Sequence, residues 1–157
     1  MRSELQFRVG TVDAGDGQHL VEAMMAEMRE LYGGLVLNAD GMPRAGAAEL
    51  GPPGGTLMVG YLDGQPVCAG GVKRLSAHAC EIKRMYVVPS ARSQGVGRAL
   101  LRRLEDAGRS LGYHVVRLDT GNRQPGARAL YESEGYLPIA NFNGHPTATF
   151  FGEKPLR

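Results

Sequence analysis

The sequence contains no apolar run of the length needed to cross a bilayer, which takes roughly 20 consecutive residues. Its first residues, MRSELQFRVG, also lack the apolar stretch that defines a secretory signal peptide. Internal repeats and low-complexity tracts are missing as well. These absences favour a cytoplasmic protein without a membrane partner, and the length of 157 residues suits one domain spanning residues 1–157.

Cysteine is scarce, and histidine is not clustered. Cys68 and Cys80 lie in neighbouring apolar segments without a C-x-x-C spacing, which favours two buried thiols over a disulfide, a zinc site or a nucleophile. The histidines occupy scattered positions that suit surface or structural roles: His19, His78, His114 and His145. The sequence therefore predicts no metal site.

A strong excess of one charge is also absent, because 18 Lys and Arg residues face 16 Asp and Glu residues for a net charge of +2. This balance argues against nucleic acid as a partner. Four arginines of one predicted helix alternate with its apolar stripe and therefore form a solvated face: Arg98, Arg102, Arg103 and Arg109.

Hydrophobic periodicity, in contrast, is clear and predicts the element order β-α-(α)-β-β-β-α-β-α-β-β. Strand-like segments lie at 5–9, 56–62, 66–75, 79–88, 115–119, 136–140 and 148–154. Helical spacing marks 20–32, 96–111 and 125–134, with a short helix possible over 44–50. Asp13 or Asp16 is placed to cap the first helix.

This order of elements predicts an α+β fold of three-layer, α/β/α-like form. Three strands joined by tight turns form an antiparallel meander, and a strand-helix-strand crossover then adds a parallel neighbour. The expected core is a mixed, mostly antiparallel central sheet with flanking helices.

A glycine-rich loop, Arg92-Ser93-Gln94-Gly95-Val96-Gly97, joins a predicted strand to a predicted helix. A helix start has unpaired N–H groups and the positive end of the dipole, and glycine lets a ligand approach closely. The loop can therefore hold a phosphate or pyrophosphate, or it can simply be a connection that needs glycine for its backbone angles. A Walker A loop is absent, and Leu100 stands where a dinucleotide fingerprint needs its third glycine.

Two motifs in order give the chain a family resemblance. Arg92, Gly95 and Gly97 occupy the fixed positions of the motif [QR]-x-x-G-x-[GA]. Asn122 is then followed by a run ending in L-Y-x-x-x-G-[FY], from Ala129 to Tyr136. With these motifs and its element order, the sequence resembles the GNAT superfamily of acyl-CoA-dependent N-acetyltransferases over nearly its full length.

The resemblance implies acetyl-CoA as co-substrate and a role for particular residues. The backbone of Val87 would pair with the pantetheine arm, and Asn122 would hydrogen-bond it. The pyrophosphate would lie on the loop and first helical turn: Arg92, Ser93, Gln94, Gly95, Val96, Gly97 and Arg98. Tyr131 would be the acid that protonates the leaving thiolate, because it matches the superfamily tyrosine near the CoA sulfur.

The resemblance also makes Glu81 the candidate base, acting directly or through water, and an ion pair with Lys83, Arg84 or another neighbour is the competing interpretation. Strand alternation puts Glu81 on one face with Lys83, Met85 and Val87 unless a bulge intervenes. Relatives do have a bulge in this strand, whose position the sequence does not reveal.

The resemblance implies an N-acetyltransferase that moves an acetyl group from acetyl-CoA to a primary amine of a small molecule or peptide by direct attack on the thioester. The alternative is a catalytically silent CoA-binding sensor or regulatory module with the same fold. The acceptor pocket is expected from 31–55 and 142–151, which offer polar and aromatic side chains: Tyr32, Asp40, Glu49, Phe142, His145 and Phe150. A homodimer is possible, since relatives are often dimers.

Overall fold

A computed structural model describes residues 4–157, which form one mixed sheet of seven strands and three α-helices. The strands are β1 Gln6–Gly10, β2 Thr56–Leu62, β3 Gln65–Arg74, β4 Ala79–Val87, β5 Val115–Thr120, β6 Leu137–Pro138 and β7 Phe150–Pro155. The helices are α1 Gly15–Leu31, α2 Val96–Ser110 and α3 Pro125–Ser133, and a 3₁₀ turn occupies Pro89–Ala91.

The sheet has the strand order β1-β2-β3-β4-β5-β7-β6. The β4–β5 pair is parallel, and every other neighbouring pair is antiparallel. The parallel pair is connected by α2, which is the crossover that parallel strands require. The predicted α+β class with a mixed, mostly antiparallel sheet is confirmed.

The helices cover both faces of the sheet, which gives the three layers. Leu20 and Val21 of α1 pack on one face with Leu57 of β2. Leu100 and Leu104 of α2 pack in the larger cluster on the other face, where Tyr131 of α3 is also buried. Both cysteines are free and buried within this larger cluster, and burial raises each thiol pKa to about 12, so the prediction of two buried thiols is confirmed.

A β-bulge interrupts β4 where it pairs with β3. Ala69 pairs with Tyr86 and Gly71 pairs with Lys83, so Arg84 and Met85 together oppose a single residue of β3. Arg84 has a φ of 59°, in the left-handed region that side chains rarely adopt.

The bulge reverses the alternation of side chains along β4. Ile82, Met85 and Val87 belong to the α2-side cluster, whereas Tyr86 packs with the residues of α1. Glu81 therefore shares its face with Lys83 but not with Met85 and Val87, and the grouping expected for an unbulged strand is wrong.

The parallel strands β4 and β5 separate soon after they begin. Their register covers only Ala79 to Glu81 of β4 and Val115 to Arg117 of β5. Beyond this point β4 continues beside β3 while β5 continues beside β7. The sheet thus opens into a gap at the ends of these two strands, next to the start of α2.

Three local predictions are wrong. The segment 44–50 forms turns rather than a helix, and these turns insert Leu50 into the core at 2% exposure. The N-cap of α1 is Ala14, and within residues 4–157 no side chain caps it, because Asp16 lies in the first turn and accepts a hydrogen bond from the Tyr61 hydroxyl at 2.7 Å. The strand expected at 136–140 shortens to Leu137–Pro138, since proline removes a ladder donor.

No α-helix within the described range, 4–157, combines the length and apolar character needed to span a bilayer.

Candidate active site

A groove of about 660 Å³ occupies the gap at the open end of the sheet. Its wall includes six of the residues predicted to hold acetyl-CoA: Val87, Arg92, Ser93, Gly95, Gly97 and Arg98. The other three, Gln94, Val96 and Asn122, lie outside this wall. Gln94 and Asn122 are exposed, and the Val96 side chain is buried in the core.

The start of α2 faces this groove with unpaired backbone donors. Gly95 is the N-cap with a φ of 82°, and its carbonyl oxygen accepts from the Ala99 N–H at 3.1 Å. The preceding N–H groups, from Val96 to Arg98, have no acceptor within the helix because they belong to its first turn. A methyl group on Gly97 would lie 3.7 Å from Leu130, so the wall stays open there. The arrangement fits a pyrophosphate.

Arg92 crosses the rim of the groove and joins two elements. Its Nε donates to the Val87 carbonyl oxygen at 2.9 Å, and its Nη2 lies 2.7 Å from the Glu27 carboxylate on α1. The Val88 N–H donates to the Val67 carbonyl oxygen, so the alternation of the strand turns the polar backbone of Val87 toward the groove. The backbone of Val87 can thus pair with an extended ligand, although its carbonyl oxygen already accepts a hydrogen bond from Arg92.

The Arg98 side chain makes its hydrogen bonds to residues at the end of α3 rather than across the groove. Its Nη1 lies 2.7 Å from Glu134 and 3.2 Å from the Ser133 hydroxyl, both at the end of α3. Arg98 therefore offers its backbone N–H to the groove while its guanidinium fixes α3 against α2.

Tyr131 lies where the groove meets a second, smaller cavity. Its side chain is 6% exposed, and its hydroxyl contacts the Met85 sulfur at 3.8 Å. A thioether is a weak acceptor, so this hydroxyl remains available to a better one. Burial first, and the Asp119 charge second, raise the pKa of Tyr131 well above its usual value, so the phenol stays protonated.

The second cavity, called here the acceptor cavity, measures about 90 Å³. Four residues belong to both walls and mark the junction with the groove: Met28, Met85, Gln124 and Tyr131. The remaining wall draws on the segment after α1 and the segment before β7, including Tyr32, Leu37 and His145. Of the six side chains expected there, Tyr32 and His145 line it, while Asp40, Glu49, Phe142 and Phe150 lie outside its wall.

A buried polar cluster stands behind the acceptor cavity. Lys83 Nζ lies 3.3 Å from Glu81 and 3.6 Å from Asp119. Asn143 Nδ2 donates to both carboxylates, at 2.7 Å to Glu81 and 2.6 Å to Asp119. The two acids therefore share one cation and one amide donor.

The two acids differ in their access to the cavity. Asp119 lines the acceptor cavity, whereas Glu81 is 0% exposed and lies outside its wall. Glu81 Oε1 is buried without a hydrogen-bond partner among residues 4–157. Burial raises the pKa of Glu81, and the Lys83 charge opposes that shift.

Asp119, Asn143 and Gln124 are residues of this site that escaped the sequence analysis. Asp119 follows the apolar residues of β5. The available signal was a polar residue near the end of a strand that was expected to lie parallel to its neighbour. Gln124 lies two residues after the predicted Asn122, and its Oε1 accepts from Tyr32 and Thr120 hydroxyls at 3.1 and 3.3 Å. No pattern in the sequence distinguished Gln124 from Asn122. Within the described part of the chain, no group of three His, Cys, Asp or Glu residues is arranged to hold a metal ion.

A groove with unpaired N–H groups at a helix start that meets a small cavity at one tyrosine suits a transferase with two substrates. The family model for the acetyltransferase (GNAT) family matches residues 18–136, and the chain belongs to this family.

Among curated relatives, the chain is 41% identical over 78 residues to an IAA acetyltransferase from Azospirillum brasilense. That match covers 48% of this chain and 51% of the relative, so the chain spans about half the length of the relative it matches.

Solved structures match the whole fold. A Klebsiella pneumoniae protein described as an acyl-CoA N-acyltransferase superposes with a TM-score of 0.77 at 26% identity, covering 98% of both chains. A GNAT family acetyltransferase from Elizabethkingia anophelis, solved with acetyl-CoA bound, has a TM-score of 0.67 at 15% identity, covering 97% of this chain and 98% of its own.

Proposed function

We propose that the protein is an acetyl-CoA-dependent N-acetyltransferase that acetylates a primary amine of a small molecule. The observation that carries this proposal is the position of the Tyr131 hydroxyl, which is buried at the junction of the groove and the acceptor cavity. Membership of the GNAT family and the unpaired N–H groups at the start of α2 support acetyl-CoA as the co-substrate.

Acetyl-CoA, when bound, supplies the acetyl group as a thioester. The first-turn amides of α2 would hold the pyrophosphate, with Arg92 at the rim. The groove-facing backbone of Val87 would pair with the pantetheine arm as an added strand. The thioester would then lie beside Met85 and Tyr131, at the opening into the acceptor cavity.

The amine must lose a proton before it can act as a nucleophile, since an alkylammonium has a pKa near ~10.4. Asp119 is the carboxylate in the wall of the acceptor cavity, and Glu81 shares Lys83 and Asn143 with it. We assign proton removal to this pair, with Asp119 facing the amine and Glu81 acting through it or through water.

Tyr131 would supply the second proton transfer. The amine nitrogen forms a bond to the acetyl carbon, the carbon–sulfur bond breaks, and the sulfur takes the Tyr131 hydroxyl proton as it leaves. The products are an acetamide and free CoA thiol. The acetylated nitrogen loses its second proton, which restores the Tyr131 hydroxyl through solvent, and the proton that the ammonium gave to the carboxylate pair passes to solvent after release.

The volume of the acceptor cavity favours a small acceptor. At about 90 Å³ it lies well below the roughly 300–1,000 Å³ typical of drug-sized ligand sites. A compact amine fits such a space better than a peptide, which would need an open channel for its chain.

Removing the hydroxyl of Tyr131 tests the proposal. Tyr131→Phe is expected to lower kcat about 100-fold, as loss of a positioned acid does, with little change in acetyl-CoA affinity. The measurement is thiol release from acetyl-CoA with a library of small primary amines, beside acetyl-CoA binding by calorimetry.

Tyr113→Phe is the matched control, because Tyr113 is equally buried at 6% exposure but donates to the Gly54 carbonyl oxygen and lies outside both the groove and the acceptor cavity. Its kcat is expected to match that of the unaltered protein. Full turnover in Tyr131→Phe would overturn the role of Tyr131. Acetyl-CoA binding without thiol release for any amine would favour a CoA-binding sensor instead.

A further inference from the structure

Arg84 is a cation of the acceptor cavity that the mechanism above does not use. It sits at the β4 bulge, is partly buried, and lines the cavity together with Asp119 and Tyr131. The only hydrogen bond of its side chain among residues 4–157 is a long one, from Nη2 to the Leu37 carbonyl oxygen at 3.5 Å. A guanidinium has five N–H donors, so most of this group's donors are unused.

The other cation in the cavity wall is already neutralised. Lys83 lies within salt-bridge distance of both Glu81 and Asp119, and Asn143 donates to the same two carboxylates. Arg84 forms no ion pair with any residue in the described range, although both carboxylates act on it from farther away. Glu81 and Asp119 face one lysine, so their remaining negative charge compensates Arg84 only at a distance, and the unused donors of its guanidinium are open to an anion that is supplied from outside.

The cavity also has two chemically different ends. Tyr131 marks the end of the cavity that meets the groove, and Asp119 lines the same cavity wall. Arg84 borders a second surface depression as well, formed by residues 38–46, so the basic end lies away from the groove. An ammonium near Asp119 and an anion near Arg84 would complement both ends.

We propose that Arg84 binds the carboxylate of the acceptor, which makes the acceptor a small amino acid whose amine faces Asp119 and Tyr131. This inference rests on the proposed function, because it names the substrate class of the same site. A planar guanidinium matches a carboxylate through two parallel hydrogen bonds, and the bulge is what aims Arg84 into the wall. The small volume of the cavity favours a carboxylate over the larger phosphonate or phosphate group.

Paired substrates provide the kinetic test. Glycine, β-alanine and γ-aminobutyrate are each compared with their own carboxamides in the unaltered protein and in Arg84→Gln. For at least one pair, the acid is expected to have kcat/KM about tenfold or more above its amide, since a hydrogen-bonded charge is lost. Arg84→Gln is expected to remove this preference by raising the KM of the acid.

Two further variants control the comparison. Arg8→Gln removes an exposed arginine that stacks on Tyr61 far along the sheet, and it is expected to keep the preference. Arg84→Lys keeps the charge but loses the planar fork, so it is expected to keep part of the preference. Equal rates for acids and amides, or a preference that survives in Arg84→Gln, would overturn the proposal, as would better turnover of aminomethylphosphonate than of glycine.

A binding measurement separates this inference from the proposed function. N-acetylglycine and N-acetylglycinamide differ only in the carboxylate, and neither has an amine to acetylate. Calorimetry is expected to show the acid binding about tenfold or more tightly, with the difference lost in Arg84→Gln. If no amine is acetylated but this difference appears, the function fails and the carboxylate site stands. If amines are acetylated and the two probes bind equally, the carboxylate site fails alone.

Discussion

Burial acts on two acids of the site in the same direction but with different chemical results. It raises the pKa of Tyr131, which keeps the phenol protonated and able to donate. It also raises the pKa of Glu81, which makes the carboxylate a better proton acceptor than an exposed one. One donor and one acceptor thus flank the acceptor cavity, although only Tyr131 lies in its wall.

The raised pKa of Glu81 predicts a pH dependence of stability. The folded protein holds a proton on Glu81 at pH values where the unfolded chain, with its ordinary pKa of 4.5, has released it. The free energy of unfolding contributed by Glu81 therefore falls as the pH rises from about 4.5 through the folded-state pKa. Glu81→Gln has no such proton to lose.

The measurement is urea denaturation of the unaltered protein and Glu81→Gln between about pH 4 and pH 8. The difference in the free energy of unfolding is expected to shift in favour of Glu81→Gln as the pH rises. A difference that stays constant, or that shifts toward the unaltered protein, would show that Lys83 and Asn143 outweigh the effect of burial.

Single residues differ in how well the sequence could reveal them. Tyr131 and the glycines of the α2 loop belong to local motifs, so their match to the motifs of the family identified them as candidates. Asp119 and Asn143 are 24 residues apart and meet only because β5 and the segment before β7 fold against each other. Contacts of that kind depend on tertiary packing, and no local pattern encodes them.

The two glycines of the loop that begins α2 have different structural roles. Gly95 has a φ of 82° with open space around it, so a side chain there costs backbone strain alone. Gly97 meets only ordinary contacts, with Leu130 at 3.7 Å and Val87 at 3.9 Å. Gly95→Ala is therefore expected to lower the free energy of unfolding by about 1 kcal/mol, while Gly97→Ala leaves it unchanged or higher.

The same two glycine variants also distinguish an effect on stability from an effect on acetyl-CoA binding. Gly95→Ala is expected to weaken acetyl-CoA binding because strain at the N-cap displaces the first-turn amides, and Gly97→Ala is expected to keep it. Chemical denaturation and calorimetry with acetyl-CoA measure the two effects. Loss of stability in Gly97→Ala, or none in Gly95→Ala, would contradict these roles.

The bulge in β4 is the element that sequence reasoning could not locate. The segment EIKRMYV reads as one continuous strand, and the left-handed residue at its centre is an arginine rather than a glycine. The backbone angle of Arg84 is thus imposed by pairing with β3 and by packing on both faces. Its effect is large, since it turns Tyr86 toward α1 and directs Met85 toward Tyr131.

At the scale of the whole molecule, the site exists because the sheet opens between β4 and β5. The opening exposes one end of each strand and the start of α2 to the same space. The element order predicted that these strand ends and the start of α2 lie close together, because a helix that joins two parallel strands brings those ends together. The wall on the α1 side, with Tyr32 contacting Gln124, depends instead on how the helix packs across the sheet.

A largely buried ion pair between the sheet and the layer of α2 and α3 holds the elements that frame this opening. Glu105 of α2 is 3% exposed, lies 2.9 Å from Lys154 of β7, and accepts a hydrogen bond from the Tyr136 hydroxyl at 2.7 Å. Lys154 Nζ also donates to the Glu134 carbonyl oxygen at 2.8 Å, at the end of α3. The pair therefore joins both helices of one layer to the sheet.

Lys154→Met would leave the Glu105 carboxylate buried without its cation, so the free energy of unfolding is expected to fall by about 3 kcal/mol or more. Arg128→Met is the control, because it breaks an exposed pair with Glu132 whose contribution is only about 0.3–0.5 kcal/mol. Urea denaturation at neutral pH measures both. Similar losses in the two variants would mean that Glu105 finds solvent or another donor, and that α2 and α3 are held to the sheet by their apolar contacts alone.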